Sequence, residues 1–225
     1  MKEKIEKGEW QPGEMIPSER ELAETYDISR MTVRQAVNNL VNDGYLVRRR
    51  GKGTFVAAKK IEQPLKGLTS FSEDMRARGM EPDTVVLGFE TVPASKKLAE
   101  WLAVKEGDAL YEIRRLRLAD GSPMALETLY IPCALAPHLT REIVNGSVYE
   151  FMEKEVGLAI GTAVQVIEAS VARKLEAEHL QVKEGAPVLL LERRTYLTDG
   201  RPLEVVKSVY RGDRYKFIVE MERRK

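Results

Sequence analysis

Residues 17 to 56 constrain this chain more than any other stretch. Ser18 followed three residues later by Glu21 has the spacing of a capping box, in which the hydroxyl accepts a first-turn N–H and the carboxylate returns to the cap. A helix is predicted to start there, with Leu22, Ala23 and Tyr26 as its apolar face, and Asp27-Ile28-Ser29 interrupts it after about two turns. Ser29 can cap a second helix from Arg30 to Val41, in which Val33, Ala36, Val37 and Leu40 recur at helical spacing. Gly44 stops that helix. Tyr45-Leu46-Val47 and Thr54-Phe55-Val56 then flank Gly51-Lys52-Gly53, which reads as a hairpin with glycine at its tip and cations around it.

The outward face of the second helix carries Arg30, Thr32, Arg34 and Gln35 near its N-terminal end. Arginine is the side chain best shaped to grip guanine O6 and N7, and a helix-turn-helix presents the start of its second helix to base edges in the major groove. The hairpin would lie against phosphates. Charge distribution agrees: from residue 30 to residue 60 eight cations face Asp43 alone, a balance of +7 in a chain whose total is +1, so the remainder sums to −6. The asymmetry places a polyanion-binding surface in the N-terminal segment.

Pro17-Ser18-Glu19-Arg20-Glu21-Leu22-Ala23, Ser29-Arg30-Met31-Thr32-Val33-Arg34-Gln35-Ala36 and Gly51-Lys52-Gly53-Thr54-Phe55-Val56 closely resemble the winged helix-turn-helix of GntR-family bacterial transcription regulators. The resemblance implies operator contacts by Arg20, Arg30, Arg34 and Gly53. With the outward helix face and the basic hairpin, the candidate DNA-binding set is Arg20, Arg30, Thr32, Arg34, Gln35, Arg50, Lys52 and Gly53. Family members usually carry a longer first helix than the stretch from Met1 to Lys7 offers before Gly8.

At 225 residues the chain can build two modest cores. Its only cysteine, Cys133, excludes an intrachain disulfide and fits a reducing compartment. No apolar run approaches membrane-spanning length and no signal-peptide core is present, so the expected location is cytoplasmic, without a membrane partner. The expected division is a DNA-binding domain over 1–57, a linker over 58–66 and a second domain over 67–225. The linker reads equally as a passive tether or as a segment that rearranges when the second domain binds a ligand.

The second part contains an internal duplication. Ala99-Glu100-Trp101-Leu102-Ala103-Val104-Lys105-Glu106-Gly107 recurs as Ala177-Glu178-His179-Leu180-Gln181-Val182-Lys183-Glu184-Gly185, and Asp120-Gly121-Ser122-Pro123 recurs as Asp199-Gly200-Arg201-Pro202. The offset is 78 residues at the first pair and 79 at the second. Each unit reads as a short helix, a strand, an Asp-Gly turn and a return strand. Ser70 with Glu73, and Ser147 with Glu150, open two further helices. The predicted class is therefore α+β: a winged helix-turn-helix followed by a largely antiparallel sheet with helices packed on it.

Residues 65 to 225 resemble the effector-binding domain of the HutC subgroup of GntR regulators, whose fold is like that of chorismate lyase. Gly67-Leu68-Thr69-Ser70-Phe71-Ser72, Arg115-Leu116-Arg117-Leu118 and Lys207-Ser208-Val209-Tyr210-Arg211 carry the resemblance. Within the subgroup it runs nearest to regulators of amino-sugar utilisation. That implies glucosamine 6-phosphate or N-acetylglucosamine 6-phosphate as effector, with contacts from Phe71, Ser72, Arg115, Arg117, Glu127, Ser147, Val148, Tyr149, Glu204 and Tyr210. The residues are chemically suited: Arg115 and Arg117, two apart on a strand, emerge from one face and converge on a dianion, while glutamates accept from hydroxyl or nitrogen donors. Taken alone, arginines on strands are more often surface ion-pair partners.

Catalytic machinery is weakly represented. His138 and His179 are isolated, no metal-ligand spacing occurs, and neither a phosphate-cradling glycine-lysine loop nor a nucleophile elbow is present. No catalytic residue, metal or cofactor is expected. The favoured reading is a repressor that binds a palindromic operator as a homodimer and answers to a phosphosugar. A sugar-phosphate or lyase-type enzyme with a DNA-binding appendage, and a constitutive DNA-binding protein whose second domain only dimerises, stay open as alternatives.

Overall fold

In the computed structural model, which describes residues 1–49, 51–57 and 60–223, the chain divides into two units, Met1–Glu62 and Gln63–Lys225. The first contains α1 (Lys2–Glu6), α2 (Glu19–Tyr26), α3 (Arg30–Asn42), β1 (Leu46–Arg49) and β2 (Gly53–Val56). Both arms of the Ser18 capping box form: Ser18 Oγ accepts from Glu21 N at 3.2 Å, and Ser18 N donates to Glu21 Oε2 at 2.8 Å. Asp27 ends α2 in the left-handed region at φ 50°, which turns the chain so that Ser29 can cap α3. Ile16, Leu22, Ala23, Val33, Val37, Leu40, Leu46 and Val56 make one core, against which Ile5 and Trp10 pack. Tyr26 does not belong to it. It is 41% exposed, as the last residue of α2 beside the Asp27 turn. The wing pairs Leu46 with Val56 through Arg49 with Gly53.

The stretch expected to be a featureless linker contains strand β3 (Ile61–Pro64), which pairs with β10 (Tyr215–Ile218) near the chain's end. The bond from Leu65 N to Ile218 O, at 2.9 Å, continues that ladder. Periodicity could not announce it, since its partner lies some 150 residues away and four residues show no pattern.

The second unit is built on one antiparallel sheet ordered β4 (Pro82–Pro93), β5 (Ala109–Ala119), β6 (Ser122–Pro132), β9 (Pro202–Arg211), β8 (Pro187–Leu197), β7 (Ile160–Val171). It is two three-stranded meanders joined where β6 meets β9, and Thr128 opposite Lys207 marks the centre of the pairing, 79 residues apart. The one-residue change in repeat offset has a local cause. Asp120 and Gly121 close the first hairpin as a two-residue turn with both φ positive (48° and 70°), whereas the second closes around Thr198-Asp199-Gly200, with Leu197 N donating to Arg201 O at 2.8 Å.

Alternation along β5 separates the two faces of the sheet. Leu110 packs with α5 (Lys96–Leu102), and Leu116 packs with α7 (Lys174–Leu180). Ile113 faces the other way, into a core with Val144, Val148 and Met152 that is supplied by a short 3-10 turn at Ile143–Asn145 and by α6 (Val148–Lys154). On that second face α4 (Phe71–Ala77) brings its first residues over Arg117. Each repeat also begins with a strand that the sequence did not reveal, β4 and β7, again 78 residues apart.

Candidate functional site

Two groups of residues were singled out by sequence, one in each unit. In the first, α3 sets Arg30, Thr32, Arg34 and Gln35 on its exposed side while Val33, Val37 and Leu40 are buried. Thr32 Oγ1 lies 2.9 Å from Ser29 Oγ, and Gln35 Nε2 donates to Asn39 Oδ1 at 3.0 Å, so both are steadied within their own helix. Arg20 stands on α2 with its Nε 3.8 Å from Glu24 Oε1. Lys52 is exposed at the wing tip, and Gly53 holds φ +122°, where an added Cβ would meet Met15 Sδ at 3.0 Å. The left-handed φ and that neighbour together reserve the position for glycine. Arg50 lies outside the described residues.

Glu19 was not singled out. Its Oε2 accepts from Arg34 Nε at 3.0 Å and its Oε1 accepts from Arg48 Nη2 at 3.0 Å, so one carboxylate joins α2, α3 and the first wing strand. Nothing in its spacing signals this, because the three residues come from three elements.

In the second unit the arginine pair is neither exposed nor solvated. Arg115 and Arg117 are 5% and 2% exposed, on the same face of β5, with Glu127 directly opposite Arg115 on β6. Arg115 Nη2 is 2.6 Å from Glu127 Oε1, and its Nη1 donates to Val144 O at 2.9 Å and Gly146 O at 3.2 Å. Arg117 Nη1 is 3.6 Å from the same carboxylate oxygen, its Nη2 donates to Ser72 Oγ at 2.9 Å, and its guanidinium lies 4.7 Å from the centre of the Phe71 ring. Further along the same face, Tyr149, Thr195 and Glu204 form a chain, with hydroxyl oxygens 3.0 Å apart and Thr195 Oγ1 donating to Glu204 Oε1 at 3.1 Å.

Eight of the ten predicted effector contacts line one cavity of about 30 Å³: Phe71, Arg115, Arg117, Glu127, Ser147, Val148, Tyr149 and Glu204. Ser72 stands behind Arg117, and Tyr210 instead lines an adjoining cavity of about 350 Å³, where its ring meets Tyr215 edge-on at 4.7 Å. Ser70 and Phe71 border both spaces. The smaller holds about one water molecule, so a sugar has room only in the larger.

Arg193 completes the group and was missed. It lines the larger cavity, its Nη2 is 3.9 Å from Glu204 Oε1, and its guanidinium sits 5.6 Å from the Tyr149 ring centre. A signal existed: Arg193 lies 78 residues after Arg115, the repeat offset itself. Three guanidiniums, those of Arg115 and Arg117 buried and that of Arg193 20% exposed, therefore face two buried carboxyl groups. The Nε atoms of all three arginines and Oε2 of Glu204 are buried without a hydrogen-bond partner.

These neighbours set the protonation states. Burial works to raise the Glu127 carboxyl, but Arg115, Arg117 and Arg193 together outweigh it and hold the group below its ordinary value. Burial wins at Glu204, whose carboxyl is pushed up, and burial also lowers Arg117 to about 10, still charged at neutral pH. A carboxyl raised by folding adds stability below its unfolded value near 4.5 and loses it as pH rises through the folded value. Glu204→Gln removes this loss. Its melting temperature relative to the parent is therefore expected to rise from pH 4.5 toward neutrality, and parallel melting curves across that range would show that Glu204 is not destabilised by burial.

The pattern of a winged helix-turn-helix followed by this sheet domain has known relatives. A family model for bacterial regulatory proteins of the gntR family matches residues 1–56, and the UTRA domain model matches residues 77–216. The chain belongs to the GntR family. It is 46% identical over 223 residues to the HTH-type transcriptional repressor NagR of Bacillus subtilis, covering 99% of this chain and 92% of that protein. It is 33% identical to the mannosyl-D-glycerate transport/metabolism system repressor MngR of Escherichia coli, covering 100% and 93%. The crystal structure of PhnF from Mycobacterium smegmatis superposes with a TM-score of 0.71 at 32% identity, over 95% of this chain and 94% of that one. As a GntR regulator with a UTRA domain, the chain is a DNA-binding transcription regulator of the HutC type rather than an enzyme. Among the described residues no helix is long and apolar enough to cross a membrane.

Proposed function

We propose that this regulator is a cytoplasmic repressor whose hold on a palindromic operator is controlled by an amino-sugar 6-phosphate, glucosamine 6-phosphate or N-acetylglucosamine 6-phosphate. The observation that carries the effector class is the set of buried Arg115 and Arg117 with part-exposed Arg193 against buried Glu127 and Glu204, three guanidiniums against two carboxyl groups. Buried charge without full pairing is costly, and a phosphate dianion relieves it, meeting Arg193 from the larger cavity and reaching Arg115 and Arg117 once the smaller one widens past Ser70 and Phe71. The sugar occupies the larger cavity, where the hydroxyls of Tyr210 and Tyr215 are at hand, while Glu204 accepts from the sugar's nitrogen or hydroxyl groups. The kinship with NagR and the amino-sugar resemblance of the motifs support that ligand over an unsubstituted hexose phosphate.

On the DNA side, Arg30 and Arg34 read base edges, assisted by Thr32 and Gln35, while Arg20 and the wing residues Arg50, Lys52 and Gly53 follow the backbone. A homodimer is required because one winged domain covers too few base pairs for useful selectivity. The direct test is thermal unfolding with glucosamine 6-phosphate, N-acetylglucosamine 6-phosphate or glucose 6-phosphate, followed by operator release. A ligand at 100 times its dissociation constant adds about 2.7 kcal/mol, a visible shift in midpoint. Stabilisation and operator release by the amino-sugar phosphates alone is the expected result. Equal stabilisation by glucose 6-phosphate would remove the amino group from the recognition, and no shift with any of them would reject the effector class.

A further inference from the structure

We infer that Glu19 is a positioning residue for sequence readout: it holds the Arg34 guanidinium in the orientation that reads a base. The inference rests on the reading of Arg34 as a base contact and adds how that contact is prepared. Arg34 projects from the exposed side of the recognition helix, and a free arginine there samples many rotamers, whose loss on binding weakens the complex. Glu19 Oε2 takes the Nε–H of Arg34 at 3.0 Å. That contact occupies Nε and leaves both Nη groups available as an end-on fork. Such a fork matches the paired acceptors O6 and N7 of guanine. The other oxygen, Oε1, holds Arg48 Nη2 at 3.0 Å and so ties the wing strand to the same anchor.

The pairs add little to folding. Side-chain exposure is 54% for Arg34, 45% for Arg48 and 30% for Glu19, the range in which ion pairs contribute least. A carboxylate on the DNA-facing side also opposes phosphate, so it weakens binding to DNA of any sequence. Apart from the modest dipole contribution that any carboxylate makes in a first helical turn, a group that adds little stability and opposes general affinity serves the ratio between the right sequence and the wrong one. Glu19 lowers the non-specific term and pre-orders the specific one.

The experiment uses the full chain with Glu19→Gln, which keeps shape and removes charge, titrated against an operator duplex and a random duplex over a salt series. Glu19→Gln is expected to lower the operator-to-random affinity ratio about tenfold, mostly through loss on the operator. Arg48, released, reaches a phosphate instead, so the logarithmic salt slope on random DNA steepens by about 0.9. In an Arg34→Ala background the same substitution leaves the ratio unchanged. Equal loss on both duplexes with an unaltered salt slope would reduce Glu19 to a structural residue and overturn the inference, as would a full tenfold effect in the absence of Arg34. If instead Arg34→Ala alone leaves the ratio intact, base reading by Arg34 fails first, and the two failures stay distinct.

Discussion

Arg115→Ala is expected to abolish the response to phosphosugar and to cost the second unit about 3–5 kcal/mol of stability, the usual penalty for removing one partner of a buried ion pair. Three losses coincide. Glu127 is stranded, since the 2.6 Å contact to Arg115 is its main compensation, and the carbonyls of Val144 and Gly146 lose the donor that fixes the turn before α6. The effector loses a guanidinium on the face proposed to bind its phosphate. DNA affinity survives, because the winged unit closes its own core from Ile16 to Val56 without residues of the second unit. Denaturant unfolding and operator binding, measured below the lowered midpoint, separate these effects.

Stability and response come apart in the double variant Arg115→Met with Glu127→Met. Replacing buried ionic partners by apolar residues of like volume is often neutral or stabilising, so the double variant recovers part of the stability while remaining deaf to phosphosugar. The remainder is the cost of leaving Arg117 with Ser72 but without its carboxylate at 3.6 Å. A single variant that releases operator normally on adding phosphosugar would move the site away from Arg115. A double variant that stays as unstable as the single would mean that the lost carbonyl contacts and the stranded Arg117, not the Arg115–Glu127 contact, carry the cost.

What the sequence revealed follows the range of the forces involved. The capping boxes at Ser18 and Ser70, the left-handed break at Asp27 and the wing glycines are decided by neighbours three or four residues away, and each could be read directly. Ser147 shows the limit: its hydroxyl caps Glu150 N at 3.3 Å, yet Glu150 turns outward to Lys154 at 2.6 Å instead of completing the box. The duplicated hairpins were legible because helix, turn and strand recur with their residues. Their leading strands were not, since β4 and β7 sit at the two edges of the sheet, where half-exposed positions accept many side chains and the repeats have drifted apart. The burial of Arg115 and Arg117 could not be read either: two arginines on a strand look like a solvated face until Phe71, Ser147 and Tyr149 arrive from distant segments to cover them. Arg193 needed the repeat to be carried from backbone to chemistry. Its offset from Arg115 was available, but in the second copy Val206 replaces the carboxylate that marks the first.

Arg34→Ala is expected to weaken operator binding by about 1–3 kcal/mol, the usual worth of a bidentate base contact, and to relax base preference at the position it reads. The structure sharpens what should happen on random DNA. Removing Arg34 frees one oxygen of Glu19 while Arg48 keeps the other, so the protein loses a cation and retains a carboxylate beside the phosphates. Random DNA should therefore bind more weakly too, but by less than the operator, because a single exposed charge acts through screened solvent whereas the base contact is a direct, desolvated pair. The two parts are separable by salt. The electrostatic part shrinks as ionic strength rises, and the base-reading part persists, so the gap between operator and random losses should survive at high salt. A gap that closes with salt would mean that Arg34 acts only as one more positive charge on the recognition helix, and would pass the base-reading role to Arg30, at the first position of the same helix.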